Sequence, residues 1–98
     1  MDLDAYRGSR DAVLSGRLGD EDVVVIIIAY ALGRMRQRDI DQSEVLEVLA
    51  APRSAHGSGK GPGRHEVAWE TDRGRLRVVY VRPEPDIVMV ITTYPERE

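Results

Sequence analysis

Six consecutive β-branched residues, residues 23–28, constrain this chain more than any other feature of its sequence. Such side chains lose rotamer freedom in a helix and pack well on a pleated sheet, so the run predicts a short strand. Because the run is apolar without alternation, we expect both faces of that strand to be buried. A longer helix that begins near Asp20 stays an alternative, since the apolar pattern continues into a helical stretch.

A first helix is predicted over residues 29–38. Leu32 and Met35 lie three positions apart and are expected to face the core. Residues four positions apart share one helix face, and the exposed face of this helix would carry Tyr30, Arg34 and Arg38. That face is a candidate site, although a solvated basic surface would have the same pattern.

A second helix is predicted to begin after Asp41. Asp41 is a favourable N-cap, and Glu44 three positions later completes a capping-box pattern. An apolar stripe follows, and Pro52 ends the helix.

The segments on either side of these elements carry weaker signals. Residues 1–20 are expected to be weakly ordered or helical, with Ser9 capping a short helix that runs to about Leu18 and Gly19 just past its end. Residues 53–64 are rich in glycine and predict a mobile loop that links the helices to a sheet. The loop is not a nucleotide-binding P-loop, because Gly61 rather than Ser or Thr follows Lys60. A basic loop that contacts an anionic partner remains possible on the sequence.

Three strands are predicted in the last third of the chain, over residues 65–71, 75–81 and 87–93. A hairpin turn at residues 72–74 joins the first two. The last strand is almost wholly apolar, which favours a central position in the sheet. The predicted fold is therefore α+β: one domain over residues 1–98, in which N-terminal helices pack on one face of a small antiparallel sheet.

Composition narrows the classes of function. The chain of 98 residues has no Cys, which excludes disulfides, thiolate metal sites and a cysteine nucleophile. The polar, acidic N-terminus does not resemble a signal peptide, and the longest apolar run is too short for a bilayer, so we expect a cytoplasmic protein.

The sequence contains no cluster of metal-ligating residue types and no dinucleotide-binding motif, so no metal or cofactor is expected. The net charge is −3, but residues 31–82 carry ten bases and seven acids, so the middle of the chain is basic.

The remaining polar residues are of the types that cleave RNA without a metal. Cleavage needs a base for the 2′-hydroxyl, an acid for the leaving oxygen and cations for the phosphate. His65 can serve as base or acid, because histidine exchanges a proton near neutral pH. Arginines can hold the phosphate in bidentate fashion. Many small proteins hold the same residue types without cleaving anything.

Residues 29–40 (AYALGRMRQRDI), with VLEVLAAP after them, resemble the family called domain of unknown function 4258. The strands RLRVVY and IVMVITTY extend the resemblance over roughly residues 23–95. The resemblance implies a small bacterial toxin of the RelE, colicin and barnase type, in which helices pack on a curved antiparallel sheet. It also implies RNA as substrate and a cognate antitoxin or immunity protein as partner.

Carrying the family's motif over residue by residue gives candidate site residues. Arg34 and Met35 match an Arg-Met pair, Arg38 and Ile40 match the Arg and Ile that follow, and Thr92 and Tyr94 match residues of the last strand. Met35 and Ile40 are expected in the core, and Arg34 could equally form a structural salt bridge. The predicted catalytic residues are Tyr30, Arg34, His65, Thr92 and Tyr94. The predicted RNA-binding residues are Arg38, Lys60, Arg75 and Arg77.

The motif departs from the family at two positions. The family's His falls on Tyr30 and its Thr on Ile28. Tyrosine, with an ordinary pKa near 10, is a poor base at neutral pH. One hypothesis is therefore an inactive form of a toxin-type ribonuclease, and another gives the acid–base role to His65. A non-catalytic protein-binding module, such as an immunity or partner-docking domain, is the alternative from a different class.

Overall fold

Two helices and six strands make up the part of the chain that the structure describes, residues 8–58 and 63–96 of a computed structural model. The first half contains strands β1 (Ala12–Leu18) and β2 (Glu21–Ile27) and helices α1 (Ala29–Arg38) and α2 (Gln42–Leu49). A 3₁₀ turn (Arg53–Ala55) then precedes strands β3 (His56–Ser58), β4 (Arg64–Thr71), β5 (Gly74–Glu84) and β6 (Ile87–Pro95).

All six strands form one mixed sheet in the order β1-β2-β6-β5-β4-β3. β2 pairs with β6 in parallel, and the other neighbours are antiparallel. The prediction of an α+β fold is confirmed, but two of its details are wrong. Two strands precede the helices, so the helices are not N-terminal, and the sheet is not purely antiparallel.

The helix predicted between Ser9 and Leu18 is instead strand β1. Ala12, Leu14 and Leu18 alternate along this strand and pack on the core, but Leu14 and Leu18 are also four apart, as on a helix. A two-residue turn with Gly19 at φ 62° joins β1 to β2. β1 pairs with one edge of β2 and β6 pairs with the other edge. The unbroken apolar run therefore lies in a strand that has a neighbour on both sides within the sheet. Residues 1–7 lie outside the described part.

Helix α1 has the predicted bounds, and its N-terminus is capped by a residue that lies far away in the sequence. The N-cap residue Ile28 offers no side-chain hydrogen bond. The backbone N–H of Ala29 donates to Oδ1 of Asp11, just before β1, over 2.7 Å. At the other end Asp39 takes a left-handed conformation, φ 56°, and the N–H of Ile40 donates to the carbonyl of Met35. This compact turn leads directly into α2.

Helix α2 begins with the predicted capping box. The carboxylate of Asp41 accepts a hydrogen bond from the backbone of Glu44, and the N–H of Asp41 donates to Oε1 of Glu44 at 3.1 Å. Glu44 also accepts from Arg73 at 3.2 Å, which ties the start of α2 to the β4–β5 hairpin.

Both helices pack on one face of the sheet, which we call the helix-covered face. α1 contributes Ala31 and Met35, and α2 contributes Val45, Val48 and Leu49. Together with side chains of β2, β4, β5 and β6 they form one apolar cluster. Full burial of one such aliphatic side chain stabilises the fold by about 1.5–3 kcal/mol. Met35 is in the core as predicted, and Ile40 packs against it.

The segment predicted as a glycine-rich loop contains ordered elements. Residues 53–58 form the 3₁₀ turn and β3, and Arg64 begins β4. The hydrogen bonds of β3 to β4 explain the difference, because this pairing depends on a residue far along the chain rather than on local pattern. Residues 59–62, which include Lys60, lie outside the described part. In the described residues no helix is long and apolar enough to cross a membrane.

Candidate nucleic-acid site and a histidine pocket

Tyr30, Arg34 and Arg38 lie on one side of α1, and together with Tyr94 of β6 they form what we call the α1 row. Tyr30 has 59% of its surface exposed, although it is aromatic. The guanidinium of Arg34 lies 5.7 Å from the centre of the Tyr30 ring, within cation–π range. Nη1 of Arg34 also donates to Gln37 at 3.2 Å, while its Nε is buried without a hydrogen-bond partner among the described residues.

The α1 row continues onto the end of β6. β2 pairs with β6 only as far as Val90, so β6 extends beyond its parallel neighbour. There Nη1 of Arg38 donates to the carbonyl oxygen of Thr93 over 2.7 Å. The same guanidinium lies 5.9 Å from the ring centre of Tyr94. The structure thus brings four of the predicted residues into one row: Tyr30, Arg34, Arg38 and Tyr94.

The two threonines of β6 take different places. Thr93 is fully buried, and its hydroxyl donates to the carbonyl of Arg77 at 2.9 Å. Thr92 pairs with Val79, and it alternates with Thr93 along the strand. The predicted site residue Thr92 therefore shares a face of β6 with Tyr94, whereas the side chain of Thr93, whose backbone carbonyl accepts from Arg38, points to the other face.

Arg75 and Arg77 are held in a network of carboxylates. Nη1 of Arg77 lies 2.5 Å from Oε1 of Glu66, and Glu96 bridges Arg77 and Arg75. Burial alone would raise the pKa of Glu96, but hydrogen bonds from Arg77 and Arg75 outweigh burial and lower that pKa. Arg77 is opposite Tyr94 in the register, and both arginines form ion pairs with carboxylates, which outnumber them in this network.

His65 lies in a separate place, on the helix-covered face, where we define the histidine pocket. His65 pairs with Tyr80, and their rings stack with centres 5.5 Å apart. Arg75 and Arg77 alternate with Tyr80 along β5 and point to the opposite face, so His65 cannot act together with them. The histidine pocket has a volume of about 250 Å³ and is lined by Leu18, Arg53, His56, His65, Tyr80 and Arg82.

A chain of hydrogen bonds fixes the tautomer of His56 in this pocket. Nε2 of His56 lies 3.3 Å from the carbonyl oxygen of Ala51. A carbonyl can only accept, so Nε2 carries the hydrogen, and Nδ1 accepts from the hydroxyl of Tyr80 at 3.0 Å. Burial lowers the pKa of His56 despite its bond to Ala51, and the charges of Arg53 and His65 lower it further. Burial likewise raises the pKa of Tyr80.

Two arginines enclose the pocket. Nη2 of Arg82 lies 2.5 Å from Oε2 of Glu21, whose other oxygen pairs with Arg53. One carboxylate is therefore shared by two guanidiniums, and the trio keeps a net positive charge. Arg53 and Arg82 line the pocket together with Tyr80, and their charges oppose the effect of burial on the pKa of Tyr80.

Sequence reasoning found only His65 of this pocket. The alternation of β4 and β5 could have put Tyr80 beside His65, because both strands were predicted and the turn between them fixes the register. His56 gave no such signal, since it lay in the segment interpreted as a loop. No group of three or more metal-ligating side chains occurs in residues 8–58 and 63–96.

A comparison with models of protein families assigns this chain to a family. The model of a domain of unknown function, DUF4258, matches residues 29–95, which is most of the chain. This protein belongs to the DUF4258 family. The DUF4258 match begins at the first residue of α1 and contains the whole α1 row, whereas Leu18 of the histidine pocket and Glu21, which pairs with its two arginines, precede the match. No curated protein and no solved structure matches this chain.

Proposed function

We propose that this DUF4258 protein binds single-stranded RNA along the α1 row, as a member of the small toxin-type ribonucleases that its motif resembles. The observation that carries the proposal is the pair of aromatic–guanidinium contacts, Arg34 on Tyr30 and Arg38 on Tyr94. Proteins that bind single strands combine aromatic rings, on which bases stack, with cations that neutralise the phosphates.

The charge of α1 supports an anionic ligand. The helix contains Arg34, Arg36 and Arg38 and no acidic residue. Asp39, which follows the C-terminal end of the helix, is already paired with Arg73 at 2.7 Å. Although the net charge of the chain is −3, the local field along α1 attracts a phosphate backbone.

The length of the row suits several nucleotides. Eight residues of helix separate Tyr30 from Arg38, a rise of about 12 Å at roughly 1.5 Å per residue. Stacked nucleotides of one strand are about 3.4 Å apart. The row therefore spans about three to four stacked bases, with one aromatic ring at each end.

The α1 row can bind but is poorly equipped to cleave. The resemblance implies a His where this chain has Tyr30, and a neutral phenol does not take a proton efficiently at neutral pH. Within this proposal the chain is a toxin-type fold in which the family's catalytic position has been lost, and the same basic face would be the one covered by an antitoxin or immunity protein.

Binding of a 2′-O-methyl oligonucleotide, which RNA-cleaving chemistry cannot cut, tests the proposal. We expect Tyr30→Ala to weaken binding by about 5- to 150-fold, the effect of losing about 1–3 kcal/mol of stacking. Affinity should also fall as salt rises, because phosphate contacts release counterions. Fluorescence anisotropy of a labelled pyrimidine strand measures both.

Arg36 offers a matched control for Arg34. Both are arginines of α1, but Arg36 is exposed two positions away and makes no contact with Tyr30 among the described residues. Arg34→Ala should weaken binding clearly more than Arg36→Ala. Equal losses would mean that only net charge matters, and absence of any RNA binding would contradict the proposal.

One observation favours a second candidate, a protein-docking module. β1 is the outermost strand of the sheet, and an unpaired strand edge can accept a strand from a partner. This candidate predicts that substitutions of Tyr30 and Arg34 leave partner binding intact, while a proline at Ser15 of β1 abolishes it.

A further inference from the structure

We propose that the histidine pocket is a metal-independent site for RNA cleavage, in which the 2′-hydroxyl of a ribose attacks the adjacent phosphodiester. This inference deepens the proposed function and rests on it, since it takes RNA as the ligand of the chain. The pocket shares no residue with the α1 row, and its groups supply what that row lacks.

Tyr80 and His56 form a proton-accepting pair. Tyr80 is a lining residue of the pocket, and its hydroxyl donates to Nδ1 of His56, whose opposite nitrogen is held by the carbonyl of Ala51. This is the arrangement of an activated hydroxyl, a base and a group that orients the base. Tyr80 Oη can take the proton of the 2′-hydroxyl while its own proton passes to His56 Nδ1.

His65 is placed to supply the second proton. It is exposed, it stacks on the Tyr80 ring, and its positive charge disfavours protonation of His56. The pocket therefore holds two imidazoles, one bonded to the Tyr80 hydroxyl and one stacked on the Tyr80 ring, as an acid–base pair needs. Protonated His65 gives its proton to the 5′-oxygen that leaves.

The resulting reaction is balanced. A bond forms between the 2′-oxygen and phosphorus, and the bond between phosphorus and the 5′-oxygen breaks. One proton leaves the 2′-oxygen towards Tyr80 and His56, and one reaches the 5′-oxygen from His65. The products are a 2′,3′-cyclic phosphate and a 5′-hydroxyl, and proton exchange with water restores both histidines.

Arg53 and Arg82 provide the cations for the phosphate. They approach the pocket from the 3₁₀ turn and from β5, and they share the single carboxylate of Glu21. Guanidiniums bind phosphate oxygens in bidentate fashion and stabilise the extra charge of the transition state. The net positive charge of this trio leaves capacity for an anionic group.

The space around these groups fits a dinucleotide step. The pocket has a volume of about 250 Å³, which we take as room for a phosphate with part of a ribose. A neighbouring cavity of about 490 Å³ also includes Arg53 in its lining. It offers room for the adjoining nucleoside, and its other lining residues are Arg17, Gly19, Asp20, Ala50 and Pro52.

The test is cleavage of a labelled single-stranded RNA in excess EDTA, with products identified by mass spectrometry. We expect fragments that end in a 2′,3′-cyclic phosphate, and no cut at a position where the ribose is 2′-deoxy. Tyr80→Phe and His65→Ala should each lower the rate by about 100-fold or more, the usual contribution of a general acid or base. Both variants should fold, because Phe conserves the buried ring and His65 is exposed.

Arg64→Ala is the matched control, because Arg64 is exposed on β4 next to His65 and alternates to the other face. It should cleave like the unsubstituted chain. Cleavage that persists in Tyr80→Phe and His65→Ala, or absence of any cleavage, would overturn the inference. Binding of the 2′-O-methyl strand is measured on the same samples: binding without cleavage removes this inference alone, and loss of both removes the proposed function as well.

Discussion

Single residues decide which chemistry each surface can support. The resemblance implies a His where this chain has Tyr30, and the α1 row contains aromatic rings and guanidiniums but no imidazole. The histidine pocket has two imidazoles, although only one was recognisable from the sequence. The kind of chemistry that a residue can perform was therefore predictable from the sequence. The neighbours of that residue in the fold were not, because they depend on pairing between distant segments.

A histidine at position 30, which the resemblance implies, gives a direct test of the α1 row. We expect Tyr30→His, alone or with Ile28→Thr, to add a cleavage activity to the α1 row, because histidine can accept the 2′-hydroxyl proton where a phenol cannot. The measurement is cleavage of total RNA with and without ribosomes. The new activity should survive His65→Ala in the same chain. If Tyr30→His cuts no faster than its parent, the α1 row does not hold RNA in a reactive position.

His56 should make stability depend on pH. Burial lowers its pKa from the ordinary 6.5 in the folded chain. Between the lowered and the ordinary value the unfolded chain binds more protons, so its free energy of unfolding rises with pH in that range. The stabilisation is complete above about pH 6.5 and is lost as the pH falls towards the lowered value. Urea unfolding at pH 7.5 and 5.5 should show a smaller loss for His56→Gln than for the parent, and equal losses would contradict the assignment.

At the scale of elements, local sequence patterns predicted both helices correctly but predicted a helix where the first strand lies. Helix α1 and the capping box of α2 match their predictions, because caps and helical spacing act over three or four residues. β1 was missed, since Leu14 and Leu18 satisfy both a strand and a helix pattern. β3 was missed because three residues of strand carry too little pattern of their own.

Two glycines in different elements should respond in opposite directions to alanine. A Cβ on Gly16 of β1 would lie 2.9 Å from side-chain carbons of both Val25 and Leu46. Val25 is fully buried and rigid, so Gly16→Ala should lower the free energy of unfolding by about 1–3 kcal/mol. Gly33 of α1 has open space around it, and Gly33→Ala should raise that free energy by about 0.5–1 kcal/mol. Urea midpoints compare the pair, and a stabilising Gly16→Ala would be inconsistent with the packing of α2 on β1.

At the scale of the whole molecule, the mixed sheet separates two groups of polar residues that the sequence suggested as one site. Parallel pairing of β2 with β6 puts α1 beside the end of β6, which creates the α1 row. Alternation along β5 sends Tyr80 to the helix-covered face and Arg77 to the other. The order of strands could not be derived from local pattern, since parallel pairing joins segments more than sixty residues apart.

The most direct test of RNA binding on the α1 row is a titration of the ¹⁵N-labelled chain with the 2′-O-methyl strand, followed by amide chemical shifts. The account predicts the largest changes along α1 at Tyr30, Arg34 and Arg38 and at Tyr94 on β6, with smaller changes around His65 if the strand also enters the histidine pocket. Changes confined to the β1 edge, or an unchanged spectrum at saturating oligonucleotide, would contradict it.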